Sequence, residues 1–88
     1  MTEVGNIVTL EDNLEYLVIQ DLTKDGVRYL YAVRVLIDET PTDEYIVFET
    51  IVKDGEEYLK PVDDKVKYDE LLEELKDELA VRILNEEV

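Results

Sequence analysis

Twenty-four carboxylates, with no histidine, cysteine or serine, set the chemistry open to this chain. A Ser-His or Cys-His catalytic pair cannot be assembled from it. Proton transfer near neutral pH would fall to a shifted Asp, Glu, Lys or Tyr. The acids often come in adjacent pairs: Glu11/Asp12, Asp38/Glu39, Asp43/Glu44, Asp63/Asp64 and Glu86/Glu87. Two carboxylates suffice for glycoside cleavage, but they must flank a substrate cleft. Calcium needs several oxygens around a sharp turn, and no D-x-[DN]-x-[DN]-G spacing with a following Glu occurs. Zinc would lack its usual nitrogen and sulfur ligands. The pairs therefore read as solvated surface, with weak, non-specific divalent-ion binding the most they suggest. The expectation is no enzyme, no catalytic, metal-binding or cofactor-binding residues, and no cofactor.

Charge narrows the partners. Nine bases against 24 acids leave a formal net charge of −15. That field disfavours direct contact with nucleic-acid phosphates or an anionic membrane, and it attracts cationic proteins. Tyrosines 16, 29, 31, 45, 58 and 68 could stack bases, but a base-stacking platform also needs a cationic groove. Core packing with a hydroxyl at the edge is the better reading. The opening MTEVGN lacks a basic segment followed by an apolar one, and no apolar run is long enough to span a bilayer. We expect a cytoplasmic protein with no signal peptide and no membrane contact.

The elements that must position these side chains follow from periodicity. Eighty-eight residues support a single domain over 1–88 with a small core. Residues 7–10 and 14–22 are rich in Val, Ile, Tyr and Thr and read as strands around a turn at 11–13. A third strand spans 27–37. A polar loop follows, in which Pro41 bars a ladder bond. The fourth strand spans 45–52 and a short fifth 56–62. The period then changes: Tyr68, Leu71, Leu72, Leu75, Leu79 and Ile83 make a helical stripe over about 65–84. Asp63 or Asp64 suits its N-cap, Asp69 and Glu70 its early turns and Arg82 its last turn. The fold class is α+β: a mostly antiparallel sheet of about five strands in two hairpins, packed on one C-terminal amphipathic helix.

Lys-Asp-Gly occurs twice, at 24–26 and 53–55, each time followed by Tyr-Leu. Read as two-residue type I′ loops, these turns fix the register. Lys24 then pairs with Val27, Leu22 with Tyr29, Val18 with Val33, Tyr16 with Val35 and Leu14 with Ile37. Ile51 pairs with Tyr58, Glu49 with Lys60 and Val47 with Val62. One face of the first hairpin, including Tyr29, Tyr31 and Val33, is almost wholly apolar and is expected to meet the helix. The other face leaves Leu17, Ile19, Leu30, Ala32 and Leu36 partly exposed among charges. Such a patch suits an interaction surface, unless Arg and Glu stems cover it. A second candidate surface is acidic: Asp69, Glu70, Glu73, Glu74, Asp77 and Glu78 on the helix.

"IVTLEDNLEYLVIQDLTKDGVRYLYAVRV", "EYIVFETIVKDGEEYLKPVDDKVKYDELLEEL" and the order of these segments resemble the YrzB-like family, small acidic proteins of unknown function from Gram-positive bacteria. The resemblance covers roughly residues 7–75. Its carriers are "VTLED" with the following "EYLVI", "GVRYLYAV", and "DGEEYLKPVDD" leading into "YDELLEEL". It implies a cytoplasmic, non-enzymatic protein and supplies no catalytic residues. The functional expectation is a protein-protein interaction module. Its partner would be an unidentified protein, cationic by charge complementarity, or a second copy of the chain. The alternative is an acidic nucleic-acid mimic that occupies a basic site on a DNA- or RNA-binding protein.

Overall fold

Two turns organise the sheet. Asp25 and Asp54 both have φ 54°, and Gly26 and Gly55 have φ 81° and 79°. Two consecutive left-handed residues define a type I′ turn, whose twist matches that of the strands it joins. In the computed structural model, which describes residues 2–10 and 12–86 (the Glu86 side chain excepted), the elements are β1 (Ile7–Thr9), β2 (Glu15–Lys24), β3 (Val27–Val35), β4 (Pro41–Lys53), β5 (Glu56–Pro61) and α1 (Lys65–Glu86). The strands form one antiparallel sheet in the order β1-β2-β3-β4-β5, curled and packed against α1. The α+β expectation holds. Glu11, in the expected first turn and the first acid pair, lies outside the described residues, as do Glu87 and the Glu86 side chain.

The second hairpin has the expected register, with Ile51 opposite Tyr58 and Glu49 opposite Lys60. Val62 N–H donates to the Val47 carbonyl at 3.0 Å, extending that pairing. The first hairpin follows the expected register only from the turn to Gln20 opposite Tyr31. A bulge at Ile19 then inserts one residue, so Val18 pairs with Ala32, Leu17 with Val33 and Tyr16 with Arg34. One extra residue moves every later side chain of β2 to the other face. Tyr16 and Val18 thereby leave the helix side. Arg82 of α1 marks the spot, its Nη2 donating to the Ile19 carbonyl at 2.8 Å.

Two further boundaries differ. β3 ends at Val35, and β4 starts at Pro41, the first position of a strand, where proline is tolerated. A register shift separates Val33–Tyr45 from Val35–Pro41. Thr42 Oγ1 donates to the Arg34 carbonyl at 2.8 Å within that irregular stretch. At α1 the N-cap is Asp64, whose Oδ1 accepts the Lys67 N–H at 3.2 Å. The first turn holds no acid and the last no base, so Asp69 and Arg82 sit one position inside the terminal turns and Glu70 two.

Each face of the sheet carries a covered apolar cluster, and on the helix side Tyr45, Ile51 and Tyr58 remain about half exposed beyond it. On the convex side Tyr29, Tyr31 and Val47 pack with Leu71 and Leu75 of α1. On the concave side Tyr16, Val18, Leu30, Ala32 and Phe48 form a second cluster. Val4 and Val8 from one edge of the sheet and Leu59 from the other pack against it. Side chains from both edge strands meet on one cluster because the sheet's twist accumulates into a curl.

Candidate functional site

The concave cluster overturns the expected sheet-face patch. Leu30 and Ala32 are fully buried. The curl brings β1 and β5 over them, which no stem of Arg or Glu would have needed to do. Ile19 sits at the bulge and packs with the convex cluster. Leu17, opposite Val33, shares that side by strand alternation. Leu36 is exposed beyond the end of β3. The five residues therefore form no common surface.

The charges of the concave side are paired instead. Arg28 donates twice to Asp21 Oδ2, at 3.1 and 2.9 Å. Arg34 Nη1 lies 2.9 Å from Glu44 Oε2, and this bond with the Glu44 charge pushes the guanidinium pKa up. On the convex side Lys67 lies 5.2 Å from the Tyr29 ring centre and 3.4 Å from Glu49 Oε1. Its pKa is raised, first by the bond to Tyr29 and then by the Glu49 charge.

The tyrosines divide by burial. Tyr16, Tyr29 and Tyr31 are core residues. Burial pushes the Tyr31 hydroxyl up, and Tyr45 stacks on it at 5.5 Å. Tyr58 is exposed and donates to Glu56 Oε2 at 2.8 Å. Among the described residues no three carboxylates converge where they could hold a metal ion. Asp38 and Asp12 instead cap their own turns, accepting the Thr40 and Leu14 N–H at 3.1 and 3.0 Å.

The acidic helix surface is assembled as its spacing requires. Asp69, Glu70, Glu73, Glu74, Asp77 and Glu78 are all exposed. At 100° per residue they fall within one arc of about 180° on the side away from Leu71 and Leu75. They form two i,i+4 ladders, 69-73-77 and 70-74-78, in which like charges oppose helix formation. Of the six, only Glu74 has an ion-pair partner among the described residues: Lys24 Nζ at 3.1 Å. That hydrogen bond and charge raise the Lys24 pKa.

Periodicity also leaves an unexpected apolar component on this arc. Val66, Val81 and Leu84 are 69%, 55% and 64% exposed. Val66 stands at one end of the carboxylates, and Val81 and Leu84 at the other. Ile83, assigned to the buried stripe by spacing, is 44% exposed, while Arg82 turns to the sheet. The signal for this surface was present in the sequence: three aliphatic residues at positions where a solvated helix normally carries polar ones.

A second feature lies at the opposite side of the sheet. A cleft of about 740 Å³ opens between the two edge strands, lined by Thr9 and Leu10 on one side and Glu57, Tyr58 and Leu59 on the other. Thr2 N–H donates to Glu57 Oε1 at 2.9 Å beside it. No helix among the described residues is long and apolar enough to cross a membrane. Comparison with protein-family models, with curated proteins and with solved structures finds no match for this chain.

Proposed function

We propose that this chain is a non-enzymatic protein-interaction module that binds a cationic protein through the outer face of α1. The observation that carries the reading is the pairing of two signals on one arc: six exposed carboxylates, and the exposed Val66, Val81 and Leu84 at its ends. Solubility alone accounts for the acids but not for exposed aliphatic residues beside them. A central run of carboxylates with apolar contacts at both ends gives a partner charge to neutralise and apolar area to bury. A cationic partner relieves the like-charge ladders, whereas a second copy would set six carboxylates against six. The resemblance to YrzB-like proteins of Gram-positive bacteria supports the non-enzymatic part of this reading, and with it a cytoplasmic location.

Mimicry of nucleic acid is the second reading, favoured by charge density. Six carboxylates over residues 69–78 span about 13.5 Å at 1.5 Å per residue, or one charge per ~2.3 Å. Duplex DNA carries one per ~1.7 Å.

The test uses charge reversal that spares the fold. Glu73→Lys turns the repulsions with Asp69, Glu70 and Asp77 into attractions at the cost of one new repulsion with Lys76, so it should raise the melting temperature slightly. Partner recovery should nevertheless fall when Glu73→Lys is combined with Leu84→Ser. Retained recovery would assign the acids to solubility. A recovered partner that DNA displaces, with binding lost steeply as salt rises, would select mimicry.

A further inference from the structure

The strand count leaves the sheet open in a particular way. In a five-stranded antiparallel meander the first and last strands run in the same direction, so β1 and β5 cannot pair antiparallel with each other. Both border the 740 Å³ cleft, a volume within the range of ligand sites. Among the described residues, both also turn unused backbone groups to it. Lys53 and Glu56 flank a two-residue turn and are a hydrogen-bonded pair, so Tyr58 and Lys60 bond to β4. Glu57 and Leu59 then direct their N–H and C=O away from β4. On the other edge Leu10 N–H bonds to the Leu14 carbonyl, and Val18 N–H to the Asn6 carbonyl. The intervening alternation leaves Ile7 and Thr9 facing outward. Pro61 has no N–H and ends the free edge of β5.

We propose that the cleft between β1 and β5 takes a short extended segment of a partner protein, carrying lysine or arginine beside apolar residues, as a sixth strand antiparallel to both edges. Parity is the first argument: one added strand satisfies both edges and closes the sheet on itself. Charge is the second. Glu57, near the start of β5, and Asp12, in the turn that ends β1, line the cleft, and the chain carries −15 overall. The floor is apolar, since Val8, Leu10 and Leu59 pack on the concave core. A lysine of the incoming segment takes the Glu57 carboxylate in place of the Thr2 N–H. This site is separate from the α1 face, and each can fail without the other.

The probe is a capped heptapeptide of alternating lysine and valine, titrated into the full ¹⁵N-labelled chain. Controls are the glutamate-valine counterpart and a proline-interrupted version. The amides of Ile7, Thr9, Glu57 and Leu59 should exchange about tenfold more slowly with the lysine-valine peptide bound, and with neither control. Thr9→Pro removes only an outward N–H group from the ladder. It should weaken binding several-fold while the melting temperature holds. Binding that leaves the four amides unprotected, or that perturbs only residues 69–78, would overturn the proposal. So would the absence of binding by the lysine-valine peptide.

Discussion

Each face of the sheet carries an apolar cluster, but the two are sealed differently. The convex face is closed by α1, an element delivered from beyond β5, with Leu71 and Leu75 against Tyr29, Tyr31 and Val47. The concave face is closed by the sheet itself. Phe48 lies at its centre, fully buried, with the Tyr16 ring edge-on at 5.4 Å and 85°. A helix that covers a face can retain a free outer side, and here that side carries the acids. A sheet that covers itself has no spare side, only two edges. Each candidate surface of this protein is what its mode of closure leaves over.

Truncating each core tests that division. Phe48→Ala removes the ring that β1, β2 and β5 gather around, and should cost about 3–5 kcal/mol in denaturant unfolding. Leu75→Ala should cost about 2–5 kcal/mol. The informative difference is spatial. Hydrogen exchange in Leu75→Ala should accelerate first in α1, with β3 amides still protected. In Phe48→Ala protection should fall across the sheet and the helix together. Equal loss everywhere in both variants would mean that the two cores are one indivisible unit.

What the sequence discloses follows the same division. The convex face was legible in part: the helical stripe and two I′ turns set the register outward from Lys24–Val27 and Lys53–Glu56, but beyond Gln20–Tyr31 the expected members Tyr16 and Val18 lie on the other face. The acidic arc was legible for the same reason: spacing alone places it. The concave face was not. Its membership depends on a one-residue insertion at Ile19, inside the run Leu17-Val18-Ile19, where three consecutive apolar residues hide the break in alternation. Its closure depends on accumulated twist, which no short window encodes. The cleft between β1 and β5 exists only once that twist has brought residues about fifty apart in sequence to face each other, as Thr2 and Glu57 do.

The two turns offer a smaller comparison. Gly26 joins β2 to β3 and Gly55 joins β4 to the edge strand β5. Their φ values are nearly equal, and a Cβ at either would meet nothing within 4 Å. The cost of Gly→Ala is therefore conformational at both, about 1–2 kcal/mol for an L-residue held left-handed. Gly26→Ala and Gly55→Ala should lower stability alike, although one turn is central to the sheet and the other lies at its margin. A clearly larger loss at Gly26 would show that the β2–β3 register, bulge included, depends on its turn more than the second hairpin does.

The smallest effect expected sits where the concave side meets solvent. Burial by itself raises the Glu57 carboxyl pKa, but the Thr2 N–H bond and the Arg28 charge outweigh it, so the net shift is downward. A carboxylate whose pKa is depressed on folding stabilises the fold above its unfolded-state value, and loses that contribution as pH falls through the lower folded-state value. Wild type should therefore exceed Glu57→Gln in melting temperature above roughly pH 4.3, the ordinary glutamate value. The gap should close on further acidification. No titratable partner of α1 is involved, so the Glu73→Lys variant should show the same Glu57-dependent gap. If reversing charge on the helix abolished it, the concave edge and the convex helix would be electrostatically coupled through the sheet, and the two surfaces would have to be treated as one.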